Sequence, residues 1–595
     1  MISDNPIFYC FRKLWEFSSG NRHKVVLYCV LIFTATVVGM LDPFIIAKLL
    51  DVVQFEGVTR DNISFIIFLA SLFVLAQLGF WAFWYPGRVI EISNAFLVRA
   101  KYKLFLLEGT LDLPAAWHTD HHSGDTIDKI EKGTGSLFRF SSESFQVIQS
   151  VVKLVFSFGV LLYFNIHSGI IVAVMVMVTV AMILKFDKRI IEQYDRLNSV
   201  ENSIAAKIFD VISNVTTVII LRIEKLVAKT IAKKIHVPFD LFVKNTKLNE
   251  LKWAMVSVAV SVMVFLVLTV YFVENLYSGL VIAVGTVYLL WSYVMRVADV
   301  FYNFAYQYGD IVQEKTAVMN AEKIEADFRS KMNVATIRTG ASWKNLDIHD
   351  LVFSYHAEDD AAQHLDHVSM SIKRGERIAL IGESGSGKTT FLKILRGLYS
   401  PKNAEIVLDG KPLRYGIEML SAQIALIPQD PEIFATTIRE NITMGVDHTM
   451  STIKKFTDMA RFTSVAERLP KQWESSIVEK GVNLSGGEKQ RLALARGLLA
   501  CADKSIVLLD EPTSSVDMKN EAMIYEGIFK AFKDKTVISS IHRLHLLHLF
   551  DTIYFFENGK IIASGSLNEL LKTSNKFQEL WRKYQETQDT MREGV

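Results

Sequence analysis

The sequence predicts an all-α membrane domain of six transmembrane helices with long cytoplasmic extensions, followed by an α/β domain built on a phosphate-binding loop. Three observations carry this reading. Long apolar segments are confined to the first 310 residues, short apolar runs alternate with helical stretches after about residue 340, and a glycine-rich loop lies within that second part. A chain of 595 residues is too long for one core. Half of it is hydrophobic, which fits a mixture of membrane and soluble parts.

Six segments can span a bilayer, at about 24–47, 63–86, 145–166, 168–186, 253–275 and 278–300. Each is near the roughly 20 residues a helix needs to cross the hydrocarbon. The runs at 170–184 and 256–273 are apolar all round, which separates them from one-sided soluble helices. Short loops join the first and second spans, the third and fourth, and the fifth and sixth. The two remaining connections are long, charged and poor in turn signals, so the helices are expected to continue beyond the membrane there. Lys188, Arg189, Arg196, Lys225, Lys229, Lys233, Lys234 and Lys244 crowd the second long connection, and Arg12, Lys13, Arg22 and Lys24 precede the first span. The short loops carry only Arg60. The positive-inside rule therefore places both termini and both long connections in the cytoplasm. The stretch before the first span has no cleavage pattern of a removable leader.

A net charge of +2 gives no footprint for nucleic acid. Cys10, Cys29 and Cys501 stand far apart and read as reduced thiols. The expected boundaries are a membrane domain over 1–310, a helical and loop linker over 311–339, an α/β domain over 340–570, and a charged helical tail over 571–595.

The strongest motif is GESGSGKTT, comprising Gly382, Glu383, Ser384, Gly385, Ser386, Gly387, Lys388, Thr389 and Thr390. It follows the strand-like ALIG and precedes the helix-like FLKILRGLY, the context that lets backbone N–H groups and a helix N-terminus cradle phosphates. Lys388 is placed to reach the β- and γ-phosphates, and Thr389 to offer its hydroxyl to Mg²⁺. In SIVLLDEP, a buried strand delivers Asp510 to a metal, and Glu511 follows to orient or deprotonate water. An acidic pair can also be a plain strand end; the neighbouring phosphate loop makes the chemical reading the stronger. NLSGGEKQR, 483–491, would alone be an ordinary helix cap.

With those three motifs in this order, the domain resembles the nucleotide-binding domain of ATP-binding cassette (ABC) transporters. The family's LSGGQ signature appears as Leu484, Ser485, Gly486, Gly487 and Glu488, with Glu for Gln the one departure. The resemblance implies ATP and Mg²⁺ as ligands and assigns further roles. Tyr355 resembles the adenine-stacking aromatic. Gln429 resembles the glutamine that touches Mg²⁺ and senses the membrane domain. Ser514–Asp517 resembles the D-loop that crosses to the partner, and His542 the switch histidine at the γ-phosphate. Glu479 resembles an acidic contact to membrane-domain loops, with a solvated loop charge as the plain alternative. In the family, Ser485, Gly486, Gly487, Glu488 and Asp517 close the ATP held by another chain. One cassette per chain therefore implies a half-transporter, paired with a second copy of itself or with a related chain.

The six spans resemble the exporter-type (type IV) membrane domain. Residues 113–130 and 209–225 resemble the two intracellular loops that dock on cassettes. His118, His121 and His122 read as loop residues rather than a metal site. Lys153, Trp291, Arg296 and Asp299 are candidates for a substrate cavity, because ionisable groups within spans are costly. Arg296 and Asp299 lie three residues apart and are expected to pair on one face, and the plain alternative is a structural pair near the inner interface. Asn62-Ile63-Ser64 fits a glycosylation acceptor, a triplet common by chance. The implied function is an ATP-hydrolysing exporter of an amphipathic or lipophilic substrate (lipid, peptide, conjugate or drug), in a bacterial inner membrane. The alternatives are an ATP-gated channel or an importer of the same architecture.

Overall fold

The computed structural model describes residues 5–121, 123–329, 343–355, 364–414, 416–430, 432–477 and 484–593. Glu479, His122 and most of the expected loop part of the linker lie outside the described residues. The chain forms two units, Met1–Asp112 with His122–Arg329, and Leu113–His121 with Ser330–Val595.

The first unit is helical: α1 (Pro6–Phe17), α2 (Arg22–Gly39), α3 (Asp42–Glu56) and α4 (Ile63–Leu111) precede α6 (Ser123–Phe164) and α7 (Ile166–Ser213), with α5 (Ala115–Asp120) falling in the second unit. The short α8 (Val215–Ile220) and α9 (Glu224–His236) lead to α10 (Phe239–Ser278) and α11 (Val284–Arg329). Among the described residues, six segments are long and apolar enough to cross a membrane. Phe65, Ile67, Phe68, Leu75, Leu78 and Trp81 of α4 are all exposed. So large an apolar surface is stable against lipid and not against water.

Local sequence explains several breaks. Pro43 sits in the first turn of α3 and lacks a donor, so the first span divides at Met40–Leu41. The buried Tyr293 hydroxyl donates to the freed Met40 carbonyl at 2.5 Å. The N-terminus of α11 is capped from α3, where Asp51 accepts from the Gly285 N–H and Gln54 from the Val284 N–H, both at 2.8 Å. The last helix starts later than residue 278 and runs unbroken to Arg329, so the helical part of the expected linker, residues 311–329, continues the helix of the last span. No Gly or Pro after Gly309 interrupts it.

Most of the buried charge described here is paired, and Lys252 and Lys13 find their partners on other helices. Lys252 of α10, 3% exposed, donates to Asp187 of α7 at 2.9 Å. Lys13 of α1 meets Glu322 at 2.9 Å and Glu325 at 3.3 Å, both on α11. Glu91 of α4 accepts from Arg88, from the Ser144 hydroxyl and from the Phe145 N–H.

The described residues of the second unit form two sheets. β1 (Asn345–Phe353), β2 (Leu365–Lys373), β4 (Asn403–Leu408) and β5 (Lys411–Pro412) form an antiparallel sheet in the order β2-β1-β4-β5. β3 (Arg377–Ile381), β6 (Ile424–Ile427), β7 (Ile506–Asp510), β8 (Thr536–Ser540), β9 (Thr552–Glu557) and β10 (Lys560–Gly565) form the other, in the order β10-β9-β3-β8-β7-β6. All neighbours in it pair parallel except β10 with β9. The interior strands β7 and β8 are buried along their whole length, so both faces are covered, as parallel strands require. The helices are α12 (Lys388–Leu395), α13 (Ile438–Thr443), α14 (Met450–Met459), α15 (Thr463–Arg468), α16 (Gly486–Ala500), α17 (Met518–Ala531), α18 (Leu567–Thr573) and α19 (Asn575–Glu593).

The charged tail is helical, as α19, and packs on the core. Phe577 of α19 is fully buried, stacked near Trp581 and edge-on to Phe555, and joins the main core. Its charges hid three aromatics at helical spacing, Phe577, Trp581 and Tyr584. The loop segment Leu113–His121 groups with this unit, where Trp117 stacks on His121 at 4.1 Å.

Candidate active site

Sheet order assembles the site. Strands β3, β8, β7 and β6 are neighbours and parallel, so the segments leaving their C-terminal ends lie side by side. Those segments are the glycine loop, His542, the pair Asp510-Glu511, and Gln429. The glycine loop, Gln429, Glu511 and His542 line one cleft of about 480 Å³ with His364 and Gly559, a size typical of small-molecule sites.

The loop has the backbone freedom its sequence announced. Gly382 and Gly387 have φ of +145° and +105°. A Cβ at Gly382 would lie 2.2 Å from the Phe556 carbonyl oxygen, and one at Gly387 2.8 Å from the Leu365 side chain. Both positions therefore admit only glycine. Lys388 starts α12 and folds back, donating to the Gly382 and Glu383 carbonyls at 2.8 and 2.9 Å and to Ser386 Oγ at 3.4 Å. Those oxygens stand where an oxyanion can compete for the ammonium. Burial pushes the Lys388 pKa below the ordinary lysine range, against the pull of Glu511 and Asp510.

The Thr389 hydroxyl donates to Asp510 Oδ1 at 2.9 Å. Burial raises the Asp510 pKa, offset in part by that bond. Glu511 is held at φ +47°, a strained backbone for a non-glycine residue. One of its carboxylate oxygens accepts from Gln429 Nε2 at 2.9 Å, and the other lies 2.5 Å from His542 Nε2. Tyr355 is 39% exposed and sits edge-on to His364 and Tyr399 at 4.9 and 5.1 Å. Its hydroxyl approaches Thr390 Oγ1 at 3.5 Å, the outer limit of a bond. His364 Nδ1 is buried without a hydrogen-bond partner among the described residues.

Ser485 N-caps α16, and Glu488 closes the capping box by accepting from the Ser485 N–H at 2.9 Å. Glu488 also pairs with Arg468. Its carboxylate is thus engaged within its own chain. A Cβ on Gly487 would lie 2.8 Å from the Ser515 carbonyl, so the signature turn rests on the D-loop backbone. Asp517 N-caps α17, accepting from the Asn520 N–H at 3.0 Å.

Sequence reasoning passed over the residues that hold this region. Gln490 donates to Ser514 Oγ at 2.9 Å and to the Glu511 carbonyl at 3.3 Å, and accepts from the Ser515 N–H at 2.8 Å. Arg543 donates to the Val516 carbonyl at 2.7 Å and pairs with the buried Glu521 at 3.0 Å. Gln490 lies inside the NLSGGEKQR stretch and Arg543 directly follows His542; only the fold shows what they reach.

Of the candidates in the membrane half, Lys153 of α6 lies within electrostatic reach of both Arg296 and Asp299 of α11. Arg296 donates to Met40 Sδ at 3.2 Å and lies over Tyr293, and no ion pair joins it to Asp299 among the described residues. Helical side chains slant toward the N-terminus, which carries the long Arg296 away from residue 299. Asp299 and Trp291 are exposed, and Lys153 is partly buried. Asn62 uses its side chain to close the Gly57–Asn62 turn.

Residues 25–295 match the family profile "ABC transporter transmembrane region", and residues 365–514 match "ABC transporter". A multidrug resistance ABC transporter ATP-binding and permease protein of Lactococcus lactis is 28% identical over 78% of each chain. An ATP-dependent lipid A-core flippase of Idiomarina loihiensis is 26% identical over 88% of this chain and 90% of its own. The solved structure of a bacterial Atm1-family ABC exporter with ATP bound superposes with a TM-score of 0.78 at 22% identity, covering 94% of this chain and 99% of that one. The chain belongs to the ABC transporters, in the exporter-type half-transporter arrangement of one membrane region and one ATPase domain. It is an integral multi-pass membrane protein whose cassette binds and hydrolyses ATP in step with transport.

Proposed function

We propose that two copies of this chain form an exporter that moves an amphipathic or lipophilic substrate out of the cytoplasm or inner leaflet by alternating access. The observation that carries the proposal is the convergence of Lys388, Thr389–Asp510 and the Gln429–Glu511–His542 cluster at one edge of one sheet. Lys388 exchanges its loop carbonyls for β- and γ-phosphate oxygens. Tyr355 and His364 flank the adenine. Thr389, Asp510 and Gln429 supply the hard oxygen donors that suit Mg²⁺. Those residues would hold Mg²⁺, which would supply positive charge beside the phosphates. Glu511 orients the attacking water and accepts its proton, and His542 stabilises the γ-phosphate.

Ser485, Gly486 and Gly487 face the nucleotide of the second copy, with Glu488 and Asp517 supporting them as helix caps. The segment Leu113–His121 grouping with the cassette unit supports its role in carrying closure to the membrane half. Relatives named for multidrug resistance and for lipid A-core flipping favour a lipophilic cargo. The test is ATP hydrolysis by the protein in lipid discs, screened against lipids, peptides and thiol conjugates. One class is expected to stimulate turnover, and Glu511→Gln is expected to bind ATP yet scarcely turn over. Wild-type-like hydrolysis in that variant removes Glu511 from its role.

A further inference from the structure

Helices α6 and α11 cross closely at Gly133, where a Cβ would lie 2.5 Å from Ala321 Cβ and 3.1 Å from the Ala317 carbonyl oxygen. Two to three turns toward the first unit's membrane segments they part around a cavity of about 60 Å³. It is lined by Glu143 and Gln146 of α6 and by Gln307, Asp310 and Glu314 of α11, with Phe140 and Ile311 as apolar wall. Gln307 donates to Gln146, tying the two helices at the rim.

Charge is unbalanced here. Three carboxylates line the cavity, and Arg139 is the guanidinium near enough to act on Asp310 and Glu314. It forms no ion pair with either within 4 Å among the described residues, and donates instead to Ser136 Oγ at 3.3 Å. Glu314 is only 8% exposed, yet it has no hydrogen bond or ion pair among the described residues. Elsewhere in this unit buried charge is matched, as in Lys252–Asp187 and Lys13–Glu325. A carboxylate withdrawn from water without a cation is costly, and one arriving with a ligand removes that cost.

The shape selects the cation. No group of three acidic or imidazole side chains among the described residues converges tightly enough to hold a metal ion. Separated carboxylates, an amide pair and an apolar wall suit an ammonium group, and a space of about 60 Å³ admits that head alone. We propose that this cavity binds the cationic nitrogen of an amphipathic amine at the cytoplasmic edge of the membrane unit. The proposal rests on the exporter reading and narrows its substrate class to organic cations.

The test uses the full-length protein in lipid discs, with the fluorescent primary amine dansylcadaverine, its neutral N-acetyl derivative, and Mn²⁺ as probes. The amine is expected to bind at least tenfold more tightly than the acetylated form. Glu314→Gln with Asp310→Asn is expected to weaken the amine about tenfold while the acetylated probe binds as before, which also reports that the variant is folded. Arg139→Gln, which removes the competing cation, is expected to tighten the amine severalfold, a change of sign that a merely structural role does not produce. Equal binding of the two dansyl probes, or equal weakening of both in the carboxylate variant, overturns the proposal. Saturable Mn²⁺ binding that is lost in the carboxylate variant, without preference for the amine, also overturns it. ATP hydrolysis and its loss in Glu511→Gln are read in the same discs, so failure of the amine site is separable from failure of the exporter reading.

Discussion

The two units treat ionisable groups in opposite ways. The membrane unit pairs most of its buried charge between helices and away from solvent, as in Lys252–Asp187 and Lys13–Glu325. The ATPase unit gathers Lys388, Asp510, Glu511 and His542 at the open ends of parallel strands, held by one another and by loop carbonyls. The first arrangement fixes helix against helix. The second leaves groups able to exchange partners when a ligand arrives. The difference follows from sheet topology, which brings several strand ends to one edge, whereas a helix passing through a bilayer offers no such edge.

The largest expected effect lies in the exchangeable cluster. Glu511→Gln keeps the bond from Gln429 and the shape of the site, and removes the proton acceptor. ATP turnover is expected to fall by about 10²–10⁴-fold, with nucleotide affinity retained; hydrolysis rates and nucleotide binding measured on one preparation check this. Next is the paired class. Lys252→Ala strands Asp187 in the helix interface and is expected to destabilise the unit by about 3–5 kcal/mol, whereas replacing both partners by Met and Leu restores most of that. Thermal unfolding in discs distinguishes the two, and a double variant as unstable as the single one would break the contrast between the units.

A smaller effect is expected at the D-loop. Gln490→Ala releases Ser514, Ser515 and the Glu511 carbonyl, at about 0.5–1.5 kcal/mol for each bond. Turnover is expected to fall about tenfold with little change in ATP affinity, visible as a change in kcat rather than KM. The smallest belongs to Glu488→Gln. The amide keeps an oxygen for the Ser485 N–H and loses an ion pair to the exposed Arg468, worth at most about 1 kcal/mol. A large loss of turnover would show that the charge itself serves the signature.

What was legible in the sequence follows the same division. The glycine loop reads directly, because positive φ and close approach at Gly382 and Gly387 exclude other residues and leave a mark in the sequence. Asp510 and Glu511 read from a short apolar strand that ends in acid. The spans read from length and apolarity. The pairing of Lys252 with Asp187, 65 residues apart on different helices, leaves no such mark. Gln490 acts on a turn about 25 residues away, and nothing local distinguishes it from a surface glutamine. Arg296 and Asp299 show the converse failure, a permitted spacing overridden by tertiary packing against Met40. In α19, charge masked an aromatic stripe that anchors it to the core.

The central claim is that ATP hydrolysis at the assembled strand ends does work on a substrate across the membrane. Its most direct test is accumulation of the most strongly ATPase-stimulating amphiphile inside sealed, inside-out vesicles. The account predicts ATP-dependent accumulation above the external concentration, abolished by Glu511→Gln. Equilibration to equal concentrations on both sides, or uptake indifferent to Glu511, would contradict it and point to an ATP-gated channel.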